Sequence, residues 1–164
     1  MPRHPEHLQA FDYTGPHRYS LTFCTQSRRA AFTEAPAVQL VLKHFLQQTD
    51  EQGFAMLAYC FMPDHVHLLI EGLRADSDCK RFISRAKQFS GFHYAQRHKR
   101  RLWQRYGYER VLRHDEATLD VARYILGNPL RAHLVKDIRE YPFTGSSVIT
   151  VDELIEYVSQ CRSG

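Results

Sequence analysis

Two apolar runs separated only by a short Met62-Pro63-Asp64 break dominate the middle of the chain: FAMLAYCF, residues 54 to 61, and HVHLLIE, residues 65 to 71. Both are short, bounded by turn residues and rich in side chains that suit a pleated surface, so each reads as a strand. Pro63 and Asp64 form a tight connection between them. In the second strand, residues two apart share a face. Val66, Leu68 and Ile70 are therefore expected to face the core, leaving His65 and His67 side by side on the opposite face with Glu71. Two neutral imidazoles on a rigid strand make half of a divalent-metal site. They also suit the solvent face of a half-buried strand, so the pair alone leaves both readings open.

The flanking segments place this hairpin in an α+β domain. Residues 1 to 16, with Pro2, Pro5, Gly15 and Pro16, read as an irregular N-terminal arm. RYSLTFCTQ, from Arg18, alternates as a first strand. Pro36 opens a helix whose Val38, Leu42, Phe45 and Leu46 recur at helical spacing to about Gln52, and Gly53 ends it. Asp78 caps a helix carrying Phe82, Ile83, Ala86 and Phe89 toward His98. Residues 103 to 113 suit a loop or a strand. Asp115 is placed to cap a helix through Leu119, Ala122, Tyr124 and Ile125, which Asn128-Pro129 is expected to break. A short helical piece to about Val135 and a surface helix in VDELIEYVSQ complete the order. The expected fold is a sandwich of helices on a mostly antiparallel sheet.

At 164 residues the chain is long enough for one well-cored domain. Its net charge of +4 hides an asymmetry: 11 of its 22 Lys and Arg residues lie between Lys80 and Arg113, with Glu109 the one acid there. The remainder carries 11 basic against 17 acidic residues, so positive charge concentrates in one window. Phe82, Phe89, Phe92, Tyr94, Trp103, Tyr106 and Tyr108 are interleaved with it. Cations that track phosphates and rings that stack on bases are the two ingredients of single-strand nucleic-acid binding. Lys87, Arg97, Lys99, Arg100, Arg101 and Arg105 are the candidate contacts. The same pattern also fits a solvated helix with its rings in the core.

Cys24, Cys60, Cys79 and Cys161 form no CxxC pair and read as reduced thiols of a cytoplasmic protein. No signal-peptide pattern and no membrane-length apolar run is present.

The second chemical candidate lies in ARYILGNPLRAHLV, residues 122 to 135. Tyr124 and Asn128 are four apart and share a helix face. A phenol is a poor nucleophile until a nearby cation favours its ionised form, and an amide oxygen can bind a hard cation. The plainer readings are a core-packed tyrosine ring and a helix-ending asparagine.

Taken in order, FMPDHVHLL, LWQRYGYERVLR, YILGNPLRAHLV and EYPFTGSS closely resemble the HUH single-tyrosine transposases, insertion-sequence-200-like enzymes, and most of all their REP-associated group. The resemblance covers roughly residues 17 to 147. It implies an RRM-like, ferredoxin-like fold. It implies a Mg²⁺ or Mn²⁺ ion on His65 and His67, with Tyr124 as nucleophile. Asn128 would be the third ligand, where other members of the wider group place glutamine. The implied activity is cutting and rejoining of single-stranded or hairpin DNA through a 5′-phosphotyrosine link. Residues 148 to 164 are expected to be an extension outside the catalytic domain. Monomer and homodimer both occur in the wider group. Two other readings compete: a nucleic-acid-binding module without cleavage, and a metal-dependent small-molecule phosphoesterase. The second leaves the basic window without a role.

Overall fold

The computed structural model describes residues 12–112 and 115–160, apart from the side chains of residues 108, 109, 115 and 116. Residues 1–11 of the expected arm, and Cys161, lie outside the described residues, as does the capping side chain of Asp115. Five strands and four α-helices follow in the order β1 (Arg18–Cys24), α1 (Ala35–Gln52), β2 (Phe54–Met62), β3 (His65–Gly72), α2 (Cys79–His98), β4 (Tyr108–Leu112), α3 (Asp115–Arg131), β5 (Thr144–Gly145) and α4 (Val151–Gln160). Every pairing is antiparallel, and the sheet order is β4-β1-β3-β2-β5. The βαββαβ core of this sheet has the ferredoxin-like strand order, as the sequence led us to expect.

Helices α1 and α2 cover one face. Leu21 and Phe23 of β1, Met56 and Phe61 of β2, and Val66, Leu68 and Ile70 of β3 pack there against Val41, Phe45, Phe82 and Ala86. Trp103 closes this core, stacked on Phe45 at 6.0 Å, with its indole N–H donated to Ser90 Oγ at 2.9 Å. At both helix ends the backbone turns left-handed, at Gly53 and at Lys99. Asp78 caps α2 by accepting from the Arg81 N–H at 3.0 Å.

The opposite face, which carries the histidines, is also buried. Ala58, Cys60, Met62 and Leu69 pack beneath Ala122, Ile125 and Leu126 of α3 and Leu154, Ile155 and Val158 of α4. The sheet therefore carries two cores, one on each face. VDELIEYVSQ forms the expected surface helix, and its buried stripe of Leu154, Ile155 and Val158 is one wall of the second core. A bulge in β2 makes this possible. Met56 pairs with Ile70 and Ala58 with Leu69, so Leu57 is an extra residue that reverses which side chains face which helices. Ser147 holds the bulge, accepting from the Met56 N–H at 2.9 Å and donating its own N–H to the Met56 carbonyl at 2.8 Å.

The expected break at Asn128-Pro129 does not occur either. Helix α3 runs on to Arg131. Pro129 is buried and sits in the last turn, where it forfeits a single N–H, and anchoring Ile125 and Leu126 on the sheet outweighs that loss. The helix ends instead at His133, which is left-handed at φ 58°. No helix among the described residues is long and apolar enough to cross a membrane.

Candidate active site

The antiparallel register builds the site from the sheet upward. Thr22 of β1 lies opposite His67 and Cys24 opposite His65. The two imidazoles meet edge to face, with their Nε2 atoms 3.1 Å apart. Their outer nitrogens are both held. His65 Nδ1 lies 2.7 Å from Asp64 Oδ1, and His67 Nδ1 lies 2.9 Å from the Thr22 hydroxyl. Fixing the outer nitrogen fixes the direction of the inner one, as in metal sites whose histidines are braced from behind. Burial, with the charges of His65, Arg131 and Arg28, pushes His67 down to about 4. It is therefore neutral at pH 7 with a lone pair to offer.

Asp64 is braced in turn. Arg28 donates to its Oδ2 at 2.9 Å. Burial works to raise the Asp64 carboxyl, but the hydrogen bonds from His65 and Arg28 and the Arg28 charge hold it below the usual carboxylate range. Arg28 reaches this place because Ser27 and Arg28 are consecutive left-handed residues, at φ 55° and 53°. Such backbone costs about 1–2 kcal/mol per residue and persists where its surroundings demand it.

Tyr124 projects from α3 over the histidines. Its ring centroid is 6.2 Å from that of His67, and the residue is 56 % exposed, unlike a core tyrosine. The Arg131 guanidinium lies 3.9 Å from the Tyr124 ring centroid and donates to the Tyr124 carbonyl at 2.5 Å. Gly127 makes room for it, because a Cβ there would stand 2.8 Å from Arg131 Nη1. One turn beyond Tyr124, the Asn128 amide makes no hydrogen bond among the described residues, and its Nδ2 is buried. A buried amide N–H₂ without a partner costs about 1–3 kcal/mol.

These observations fit a divalent ion. Two cis ligands each about 2.1 Å from one ion stand about 3 Å apart, which matches the Nε2 separation. The carbonyl oxygen of the Asn128 amide is the atom that could bind a hard cation; the buried, unpartnered atom is its Nδ2, which donates hydrogen bonds and does not ligate metal. Among the described residues no group of three or more His, Cys, Asp or Glu is placed to hold a metal. Glu71, on the same face, is spent on Arg18 at 3.0 Å.

The basic window divides. Lys99, Arg100, Arg101 and Arg105 line a groove of about 660 Å³ between α2 and the segment after it, with Phe92 57 % exposed. Arg97 is exposed on the last turn of α2. Lys87 is a poorer candidate than its charge suggests: its ammonium is half-buried and donates to the Gln104 carbonyl at 3.0 Å. Phe82, Tyr94 and Trp103 belong to the core, and among the described side chains of the window Phe92 and Tyr106 are the exposed rings. The groove is not remote from the histidines. Leu102 and Gln104 hydrogen-bond to Gln26 and Cys24 at the end of β1 that carries His65's partner.

Sequence reasoning missed Thr22, Arg28, Asp64 and Arg131. Asp64 stood inside the motif but read as a turn residue, and Arg131 lies seven residues, two helical turns, beyond Tyr124. Thr22 and Arg28 carried no signal, since only strand register and two left-handed residues bring them in.

Comparison with known proteins gives one consistent answer. A family model described as "Transposase IS200 like" matches residues 14–127. A Haemophilus influenzae protein bearing the name "REP-associated tyrosine transposase" is 22 % identical over 145 residues, covering 81 % of each chain. The solved structure of a REP-associated tyrosine transposase bound to a REP hairpin shares the fold, with a TM-score of 0.70 at 18 % identity over 84 % of this chain and 82 % of that one.

Proposed function

Because this chain belongs to the IS200-like transposase family, we propose that it cuts single-stranded, hairpin-bearing DNA through a covalent bond to Tyr124 and can rejoin the ends. The observation that carries the reading is an exposed phenol lying beside two imidazoles whose free nitrogens converge. The REP hairpin in the structural neighbour is the reason for choosing hairpin DNA as substrate.

His65 and His67, with Asn128 as third donor, would hold Mg²⁺ or Mn²⁺. When bound, such an ion supplies positive charge against the non-bridging oxygens of the scissile phosphate. The remaining work falls to side chains. Asp64 and Thr22 keep the two Nε2 atoms pointed inward. Arg131 holds the Tyr124 ring by its face and backs it with positive charge. Tyr124 Oη attacks phosphorus in line and gives up its proton, the P–O3′ bond breaks, and the departing oxygen is released as a 3′-hydroxyl. One phosphoester forms for each one broken, so a second 3′-hydroxyl can reverse the step without ATP. This is the chemistry of a DNA-strand transferase, in which the same site serves as endonuclease and joiner during transposition and recombination.

Incubation with hairpin-bearing single-stranded DNA and Mn²⁺, followed by a denaturing gel, tests the proposal. A protein–DNA band that survives denaturation and disappears in Tyr124→Phe is the expected result. Tight hairpin binding with no such band would favour a binding module, and hydrolysis of nucleotides alone would favour a phosphoesterase.

A further inference from the structure

A second opening adjoins Tyr124. It is a cavity of about 560 Å³ between α3 and the β1–β4 edge of the sheet, and both His67 and Tyr124 line it. Apart from Thr22, which braces His67, its other residues take no part in the cleavage step. Ser20 and Thr22 lie on β1, Arg110 on β4 and Asp120 on α3, with Val121 and Ile125 as apolar wall. The Thr22 hydroxyl is taken by His67, but the side chains of Ser20 and Arg110, ladder partners in the sheet, make no hydrogen bond or ion pair among the described residues. Asp120 gives one oxygen to Arg123 at 3.1 Å, leaving the other free. The cavity therefore pairs an apolar wall with a donor of guanidinium type and an acceptor of carboxylate type.

We propose that this cavity receives one unpaired nucleobase flanking the scissile phosphate, and that it prefers guanine. The proposal rests on the DNA-cleavage reading, because a strand with its phosphate at Tyr124 must put a neighbouring nucleotide within one residue's reach of this opening. Guanine is the base that suits both polar groups. Its N1–H and N2–H₂ donors match a carboxylate, and its O6 and N7 acceptors match an arginine. Val121 and Ile125 offer an apolar surface to the ring. Ser20 adds a hydroxyl that can donate or accept.

The test is a library of hairpin-bearing single strands with random bases on either side of the cut. Protein–DNA adducts are isolated and the cut strands sequenced. Guanine is expected to dominate at one flanking position by about ten-fold or more. Arg110→Ala and Asp120→Asn should still form adducts but with that preference flattened toward random. A general loss of positive charge would lower adduct yield for every base alike, so the change in preference separates recognition from steering. Adducts with random flanking bases, or a preference unchanged in both variants, would overturn the pocket while leaving cleavage intact. Absence of adducts from the whole library, with the wild-type protein folded, would remove the cleavage reading and this proposal with it.

Discussion

Tyr124 is held at the surface by a neighbour rather than by burial, and that makes the residue scale testable. Its ring meets Arg131, and Arg131 fits because residue 127 has no Cβ. Arg131→Ala should slow adduct formation by on the order of 10²-fold, the usual cost of removing one charge-stabilising donor from a reacting centre. Gly127→Ala should slow it too, while the melting temperature holds or rises, because alanine favours the helix by about 1 kcal/mol over glycine. Single-turnover adduct kinetics beside thermal melts would check both. An unaffected rate in Arg131→Ala would show that the Arg131 contact has no part in the reaction. The histidines behave differently from a pair on an open face. His67 is half-buried beneath α3, so His67→Ala should lose Mn²⁺ binding, read by calorimetry, and also lose stability through the cavity it leaves. Strand and helix periodicity placed His65, His67 and Tyr124 on their faces, and the resemblance to a known family singled them out. Their braces were not legible, because Thr22 and Arg28 come from chain far from the motif and only register brings them near.

At the scale of elements, the second core decides what α4 is for. Leu154, Ile155 and Val158 are nearly fully buried against the layer that carries α3. Leu154→Ala should cost about 3 kcal/mol in urea unfolding, and we expect removal of residues 148–164 to destabilise α3 rather than trim an appendage. A change below about 0.5 kcal/mol would mean α4 is dispensable. Its amphipathic spacing was visible in the sequence, but the surface it covers was hidden, because the β2 bulge that reverses the facing residues leaves no mark in the strand's composition. A second element-scale test lies between α1 and α2, where His44 and His93 stack at 4.3 Å. Burial, then the His93 and Lys43 charges, hold His44 below its ordinary value. A depressed folded-state value means that the unfolded chain takes up the proton first. Stability is therefore full above about pH 6.5 and falls as pH drops below it. His44→Gln should flatten that part of the pH–melting curve, and an unchanged slope would contradict the assignment.

For the whole molecule, charge and fold are arranged around one end of the sheet. The segment after α2 carries Lys99, Arg100, Arg101 and Arg105 along the groove and joins the end of β1 that faces the histidine strand. Hairpin affinity should fall with salt at a log–log slope of about −0.7 for each single-strand phosphate engaged. Neutralising Lys99 and Arg100 together should shrink that slope by about 1.4. Lys87→Gln should act mainly on stability, since its ammonium is committed to a backbone carbonyl. The sequence displayed this basic window as a count but could not sort it, because burial separates the structural cation from the solvent-facing ones. All of this converges on Tyr124, one of nine tyrosines in the chain. The most direct measurement is peptide mapping of the protein–DNA adduct by mass spectrometry. The account predicts DNA on the peptide containing Tyr124 and on no other. DNA on a peptide carrying Tyr106, Tyr108 or any other tyrosine, with Tyr124 unmodified, would contradict it.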